Sequence, residues 1–249
     1  MQNLAICIPV RIGSNRLSNK PLIKLGDKTV IEWTISNVLK CKYINVKNVW
    51  IFTDSREIIE LVNKLGVNTI YTSAECRNAL YRLSKYQSKL PNNITHIMNV
   101  HGDEPLLDPR NLEQMIKEYL QNPGNYLFCN PLTDYDQSRS SVPKIVFDKN
   151  MYLLYCSRAD IPCPTKNGPE GRKEHWGIIG IHLIDRQLLR EYDLAENPHG
   201  WLYQIEDMEE LKLLELGAKI KCLQPNYPVE PSLNTSEDLN YYLEKFNKI

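Results

Sequence analysis

The chain has 249 residues with 30 basic and 30 acidic side chains, so its formal net charge is zero, and 42% of its residues are hydrophobic. Balanced charge removes the general attraction that nucleic acid or an anionic membrane surface requires, and we expect neither as a partner. No apolar run approaches the ~20 residues that span a bilayer, and the N-terminus does not have the pattern of a secretory signal. Seven scattered cysteines without a C-x-x-C pair predict free thiols, and therefore a cytoplasmic location.

The first half of the chain alternates predicted strands with predicted helices. Continuous apolar runs predict buried strands at residues 4–9, 49–52, 69–72 and 94–100. Helical spacing predicts helices at residues 30–39, 56–65 and 111–120, with a further helix starting within 77–83. This alternation is typical of βαβ units around a mostly parallel sheet that is covered on both faces.

The second half has a different pattern. Residues 144–147, 152–155 and 177–183 have the composition of strands, and the Pro/Gly-rich segment 162–171 predicts a loop. Apolar residues at helical spacing predict one amphipathic helix at 205–216, closed by Gly217. A strand at 219–223 and a C-terminal helix at 236–246, capped by Thr235 or Ser236, complete the prediction.

Together these elements predict a three-layer α/β fold. The central sheet is expected to be mainly parallel, with a smaller antiparallel arm at about residues 140–200. The chain has no internal repeat, low-complexity segment or linker, so we predict a single domain over residues 1–249. Ligands of such sheets bind at the carboxyl ends of the strands, and the loops that follow those ends are the places to search for a site.

The loop after the first predicted strand carries three cations, Arg11, Arg16 and Lys20, with Gly13 and Ser14 between them. Cations and backbone N–H groups on such a loop suit a polyanion such as a phosphate chain. The loop has neither the G-x-x-x-x-G-K-[ST] phosphate loop nor the G-x-G-x-x-G dinucleotide pattern. From charge alone, a solvated basic loop remains an equal alternative.

A second polar loop, His101-Gly-Asp-Glu-Pro105, directly follows the strand predicted at 94–100. Asp103 and Glu104 at a strand end, near a cationic loop, suit Mg²⁺ held by one or two protein oxygens together with phosphate oxygens. Gly102 permits close approach of the backbone to a ligand. The alternative is a turn that only terminates the strand.

The first loop resembles the segment P-A-R-x-x-S-x-R-L-P-G-K-P-L of the cytidylyltransferases that activate sugar acids with CTP, in particular the 3-deoxy-manno-octulosonate (KDO) cytidylyltransferase family. The residues that match with the same spacing are Arg11, Ser14, Arg16, Leu17, Lys20, Pro21 and Leu22. Further segments resemble the family's Q-G-D-E-P, Y-F-S-R-x-x-I-P, R-H-x-G-I-Y-G and I-E-x-x-E-Q-L, and they begin at His101, Tyr155, Glu174 and Ile205. The resemblance spans the whole chain.

The resemblance implies a nucleotidyltransferase-type domain that transfers CMP from CTP to a 2-keto-3-deoxy sugar acid with Mg²⁺, releasing pyrophosphate, for cell-surface polysaccharide or lipopolysaccharide synthesis. It also implies a homodimer paired through the antiparallel arm. The residues that it assigns are Arg11, Lys20 and Asp103 for catalysis; Arg11, Ser14, Arg16, Lys20 and Arg82 for the nucleotide; His101, Arg158, His175, Glu209 and Glu210 for the acceptor; and Asp103 and Asn234 for the metal.

Several positions depart from the family pattern. The segment H-Q-S-G-T-E-R, which helps to bind CTP in the family, is Cys76–Arg82 here and keeps only the final Arg. The family's second metal-binding Asp is Asn234, its acceptor-contacting Tyr is Ile179, and its Gln is Glu210. Two alternatives therefore stay open: the same chemistry with another acceptor or base, and a catalytically silent homologue that binds a nucleotide or sugar. The sequence does not identify the sugar acid.

Overall fold

The computed structural model describes residues 3–13, 17–132, 142–163, 175–194 and 200–247. The strands are β1 (Leu4–Val10), β2 (Lys24–Leu25), β3 (Lys28–Thr29), β4 (Val49–Thr53), β5 (Asn68–Tyr71), β6 (His96–Val100), β7 (Asn125–Pro131), β8 (Lys144–Phe147), β9 (Leu153–Ser157), β10 (Trp176–Asp185) and β11 (Ile220–Leu223). The helices are α1 (Val30–Leu39), α2 (Arg56–Asn63), α3 (Ala79–Tyr86), α4 (Pro109–Gln121), α5 (Arg186–Leu194), α6 (Trp201–Glu206), α7 (Glu209–Glu215) and α8 (Ser236–Phe246).

The main sheet has the strand order β11-β7-β10-β6-β1-β4-β5. The neighbours β6, β1, β4 and β5 are parallel, as are β11 and β7, whereas β10 runs antiparallel to both β6 and β7. Strand β8 pairs antiparallel with β10 and with β9, and forms the small arm. The mainly parallel sheet and the antiparallel arm that the sequence predicted are both confirmed.

Two buried clusters cover the opposite faces of this sheet. Along β1, Ile6 and Ile8 point into one cluster with side chains of α1, α2 and α4, whereas Ala5 and Cys7 point into the other with side chains of α3, α5 and α7. Strand β1 is apolar at every position because both of its faces are buried. The three-layer α/β/α arrangement of the prediction is confirmed.

The predicted helix over 205–216 is wrong in one respect, because the chain forms two helices there. Asp207 adopts a left-handed conformation with φ of 54°, and Met208 is extended, so α6 ends at Glu206 and α7 begins at Glu209. The helical spacing of the apolar residues continues across the break and therefore concealed it. The sequence analysis also missed β7, α5 and the short β2–β3 hairpin, while residues 164–171 of the predicted loop lie outside the described residues.

The carboxyl ends of β1 and β6 lie side by side because the two strands are parallel neighbours. The loops that follow them, beginning at Arg11 and His101, therefore open at the same edge of the sheet, as predicted. A Cβ atom on Gly102 would lie 2.8 Å from Cγ2 of Val10, so this crossing requires glycine. Among the helices in the described ranges, none combines the length and the apolar character needed to cross a membrane.

Candidate active site

A cleft of about 650 Å³ opens at this edge of the sheet. Its size is in the range of small-molecule sites, which is roughly 300–1,000 Å³. Cationic and acidic side chains line it together: Arg11, Lys20, Arg77, Arg82, Arg158, Asp103, Asp207, Glu209 and Glu210. The predicted site residues His101 and Asn234 also line it, so segments far apart in the chain meet in one cavity.

Lys20, Asp103 and Asn234 meet at one end of the cleft. The ammonium of Lys20 forms a close ion pair with the carboxylate of Asp103, and it donates to Oδ1 of Asn234 at 3.2 Å. The side chains of Lys20 and Asp103 are 14% and 18% exposed, so water screens the pair little. Burial acts to raise the pKa of Asp103, but the charge of Lys20 lowers it below its ordinary value. Asp103 therefore carries its negative charge at neutral pH.

Asn234 is held beside Asp103 by backbone contacts. The Leu233 N–H donates to the Asp103 carbonyl at 3.0 Å, which joins the last segment of the chain to the loop after β6. The next residue, Thr235, caps α8 in a capping box with Asp238, and the same Asp238 carboxylate accepts the Asn234 N–H at 2.9 Å. The sequence showed the cap, but it did not show that this cap lies against the loop after β6.

Glu104, the neighbour of Asp103, points into the protein and is 5% exposed. Its carboxyl group accepts a hydrogen bond from Ser232 at 2.5 Å. Burial, followed by the charge of Asp103, raises the pKa of Glu104 to about 8. Glu104 is thus protonated at neutral pH, and Asp103 is the charged carboxylate of this pair.

The oxygen atoms of Asp103 and Asn234 fit the metal predicted from the sequence. Both converge on one cation, the ammonium of Lys20, and one is a carboxylate while the other is an amide carbonyl, which are ligands that Mg²⁺ accepts. In the described parts of the chain, no group of three His, Cys, Asp or Glu side chains could hold a metal ion. The arrangement suits a Mg²⁺ ion that has few oxygen ligands from the protein. Phosphates and water would supply its remaining ligands.

Arg11 joins the first loop to the segment between β5 and α3, and Arg82 holds that segment from within the protein. Arg11 Nη1 donates to the Arg77 carbonyl at 3.1 Å. Arg82 is 2% exposed and donates to Thr72 Oγ1, with an Nη2–Oδ2 distance of 3.3 Å to Asp54. Arg82 therefore supports the wall of the cleft from within the protein. The predicted nucleotide ligands Ser14 and Arg16 lie outside the described residues.

Another wall of the cleft, the histidine–glutamate wall, is lined by His101, Glu209 and Glu210, and the buried His182 supports it. His182 on β10 lies against Asn99 of β6, with 3.2 Å between Nδ1 and Nδ2, and its Nε2 lies 3.1 Å from Oε1 of Glu210. His101 Nε2 lies 3.9 Å from Oε1 of Glu209, and the rings of the two histidines are 5.9 Å apart. The second oxygen of Glu209 accepts the Leu80 N–H at the start of α3, at 2.8 Å.

These neighbours give the two adjacent glutamates opposite pKa shifts. Burial, then the charge of Glu210, raises the pKa of Glu209 to about 8. Burial also acts to raise the pKa of Glu210, but the hydrogen bond and charge of His182 lower it below the ordinary value. Burial lowers the pKa of His101, against the opposing charge of Asp103. The wall thus holds one charged carboxylate, at Glu210, and one that stays protonated at neutral pH, at Glu209.

The other predicted acceptor residues are placed differently. Arg158 lines the cleft, and its Nη2 donates to the carbonyl of Asp207 at 3.3 Å. His175 is 7% exposed and does not line the described cleft, so its predicted contact with the acceptor stays a prediction. Ile179, at the position of the family's Tyr, lines a separate small cavity beside Glu104.

Sequence reasoning missed His182, Asn99 and Asp207. His182 and Asn99 lie inside strands, where a polar residue in an apolar run is the available signal, and only the antiparallel register of β6 and β10 brings them together. Asp207 was hidden within the continuous helical spacing. The same wall explains why position 180 is glycine, because a Cβ atom there would lie 2.6 Å from Nδ1 of His101.

Comparison with known proteins identifies the family of this chain. A family model described as cytidylyltransferase matches residues 5–220. The 3-deoxy-manno-octulosonate cytidylyltransferase of Rickettsia bellii (strain OSU 85-389) is 32% identical over 253 residues, which cover 99% of this chain and 97% of the relative. The enzyme of that name from Francisella philomiragia is 32% identical over 257 residues, which cover 100% of this chain and 99% of the relative.

The fold has a solved counterpart. The structure of a CMP:2-keto-3-deoxy-manno-octonic acid synthetase complexed with CTP superposes with a TM-score of 0.85, covers 99% of each chain and is 24% identical in sequence. This likeness shows a common fold over the full length of the described elements.

Proposed function

Because the chain belongs to the cytidylyltransferase family, we propose that it transfers CMP from CTP to a 2-keto-3-deoxy sugar acid of the KDO type and releases pyrophosphate. The observation that carries the proposal is the meeting of Lys20, Asp103 and Asn234 at one end of a cleft that Arg11 also lines. The names of the full-length relatives support the class of acceptor.

The proposed reaction is an attack of the acceptor's anomeric hydroxyl on the α-phosphorus of CTP, with pyrophosphate as the leaving group. Arg11 and Lys20 bind the triphosphate and offset the charge that grows on the leaving group. Asp103 and Asn234 hold Mg²⁺, which supplies further positive charge at the phosphates when it is bound. The protein contributes mainly positioning and electrostatic stabilisation.

In this proposal, the acceptor binds at the histidine–glutamate wall. Arg158 is suited to the carboxylate of a sugar acid, because a guanidinium binds a carboxylate with two parallel hydrogen bonds. His101, Glu209 and Glu210 are suited to sugar hydroxyls, which both donate and accept hydrogen bonds. Ser14, Arg16 and His175 keep the nucleotide and acceptor roles that the resemblance implies.

We also propose a cytoplasmic homodimer whose product serves cell-surface polysaccharide or lipopolysaccharide synthesis, with residues 1–249 as one domain. Apolar side chains on β9 and α6 support the dimer: Leu154, Trp201 and Ile205 are 58%, 66% and 66% exposed. Glu206 joins these two elements, since it accepts hydrogen bonds from Tyr155 and Ser157 of β9. Sedimentation at micromolar concentration tests the pairing, and a monomeric mass would remove it.

A panel of nucleoside triphosphates and sugar acids, scored by pyrophosphate release, tests the proposed function. Fastest turnover with CTP and a KDO-type acid is the expected result. A preference for another acid or base would favour the second candidate, a nucleotidyltransferase of different specificity. That candidate is motivated by the Glu210–His182 pair and by the altered segment Cys76–Arg82. No turnover with any pair, together with measurable CTP binding, would indicate a silent homologue.

A further inference from the structure

The oxygens assigned to Mg²⁺ already contact a cation, the ammonium of Lys20. Lys20 Nζ contacts the carboxylate of Asp103 and lies 3.2 Å from Oδ1 of Asn234. Mg²⁺ binds oxygens at about 2.0–2.1 Å in a compact octahedron. An ammonium that hydrogen-bonds the same two oxygens occupies the space of the ion and repels it, so the two occupants exclude each other.

The replacement of Asp by Asn at position 234 strengthens this exclusion. With a carboxylate at both positions, the two metal ligands would keep a net negative charge even with Lys20 in place. Here the pair Asp103 and Asn234 has a single negative charge, and the single positive charge of Lys20 cancels it. A neutral resting cluster has little attraction for a free divalent cation.

Lys20 lines the cleft with a flexible side chain. Its ammonium is a point charge on a flexible four-carbon stem, so it can leave Asp103 without movement of the backbone. Arg11, the other cation of the first loop, lines the same cleft, and a triphosphate bound there offers Lys20 phosphate oxygens in exchange. The fixed backbone contact between Leu233 and Asp103 keeps the two metal ligands together during that exchange.

We propose that Lys20 occupies the metal position in the resting protein and transfers to the triphosphate when CTP binds, so that Mg²⁺ enters with the nucleotide and not before it. Lys20 thereby sets the order of binding, in addition to its contact with the phosphates. The identities of the metal and the nucleotide rest on the proposed function.

The test is a titration of nucleotide-free protein with Mn²⁺, which replaces Mg²⁺ and is counted by its electron paramagnetic resonance signal. Wild-type protein is expected to bind Mn²⁺ weakly. Lys20→Met keeps the length of the side chain but removes the charge, and should tighten Mn²⁺ binding by roughly ten-fold or more. The double variant Lys20→Met/Asp103→Asn should lose that gain, which locates the ion at Asp103.

Arg11→Met is the matched control, because it removes a positive charge from the same cleft but its guanidinium contacts the Arg77 carbonyl. An unchanged Mn²⁺ affinity of Lys20→Met, or an equal gain from Arg11→Met, would overturn the proposal. Lys20→Gln is a second variant that removes the charge with a polar side chain, and it should also tighten Mn²⁺ binding. It keeps the test decisive if Lys20→Met fails to fold.

The two proposals fail separately. Wild-type turnover of CTP with unchanged Mn²⁺ affinity of both variants would remove the ordered binding and leave the proposed function intact. Tighter Mn²⁺ binding by the variants, without wild-type turnover of any nucleotide, would keep the exchange at Asp103 and remove the function.

Discussion

The charges at the two walls of the cleft are stabilised in different ways. At the phosphate end, Lys20 and Asp103 keep the family pattern, and the change to Asn234 leaves a neutral cluster with Lys20. At the histidine–glutamate wall, Glu210 stands where the resemblance places Gln. His182 Nε2 lies 3.1 Å from Oε1 of Glu210. The buried charge of Glu210 is stable only with a partner. The loss of a charge at position 234 needs no partner, because the neighbouring Lys20 is flexible. The buried carboxylate of Glu210 thus depends on its contact with His182, whereas the cluster at Lys20 tolerates a neutral side chain at position 234.

The largest effect is expected at the phosphate end. Asp103→Asn removes the charged ligand there and should reduce the rate of pyrophosphate release by roughly 10³-fold, because electrostatic stabilisation dominates this reaction. Asp27→Asn, at an exposed turn between β2 and β3, is the matched control and should leave the rate unchanged. Robust turnover by Asp103→Asn with unaltered Mg²⁺ dependence would show that the metal is held elsewhere.

At the histidine–glutamate wall, the raised pKa of Glu209 predicts a pH dependence of stability. Its pKa is raised from 4.5 to about 8, so the folded protein binds the proton more tightly than the unfolded chain does. The stabilisation that the Glu209 carboxyl contributes is complete below its pKa in the unfolded chain. It is lost as the pH rises towards its pKa in the folded protein. Wild-type protein should therefore lose about 4 kcal/mol relative to Glu209→Gln between about pH 4.5 and 8. Urea unfolding at both pH values measures this, and parallel curves for the two proteins would refute it.

A smaller loss is expected from Arg11→Ala. Removal of one charge-assisted contact with the triphosphate should cost about 2 kcal/mol, or roughly 30-fold in kcat/KM for CTP. Arg56→Ala, at the exposed start of α2, should have no effect on the same kinetics. Unchanged CTP affinity and turnover in Arg11→Ala would count against the nucleotide role of the first loop.

The smallest effect is expected at the contact between Glu210 and His182. In a double-mutant cycle with Glu210→Gln and His182→Asn, the two residues should show a coupling energy of about 1 kcal/mol in the free energy of unfolding. The His96→Asn cycle with Glu210→Gln is the comparison, because His96, at the start of β6, lies 3.6 Å from Asp185 instead. A coupling of zero between Glu210 and His182 would mean that His182 does not stabilise the carboxylate of Glu210.

The sequence predicted elements whose signal is local. The apolar run of β1 and the cap of α8 belong to single segments, and both are confirmed. The meeting of Asp103 with Asn234 followed from the family motifs and not from local pattern, because a contact across 131 positions depends on packing. The break at Asp207 could not be predicted, since the spacing of the apolar residues is the same with or without it. His182 needed the register of two strands to become visible.

The contact between Gly180 and His101 imposes an order on the evolution of this cleft. A side chain at position 180 would meet the imidazole at 2.6 Å, so any larger residue there has to wait until position 101 has changed. The reverse order is free, because a smaller residue at position 101 leaves Gly180 undisturbed. While His101 is in place, position 180 is restricted to glycine, so a single mutation there cannot remodel this part of the cleft.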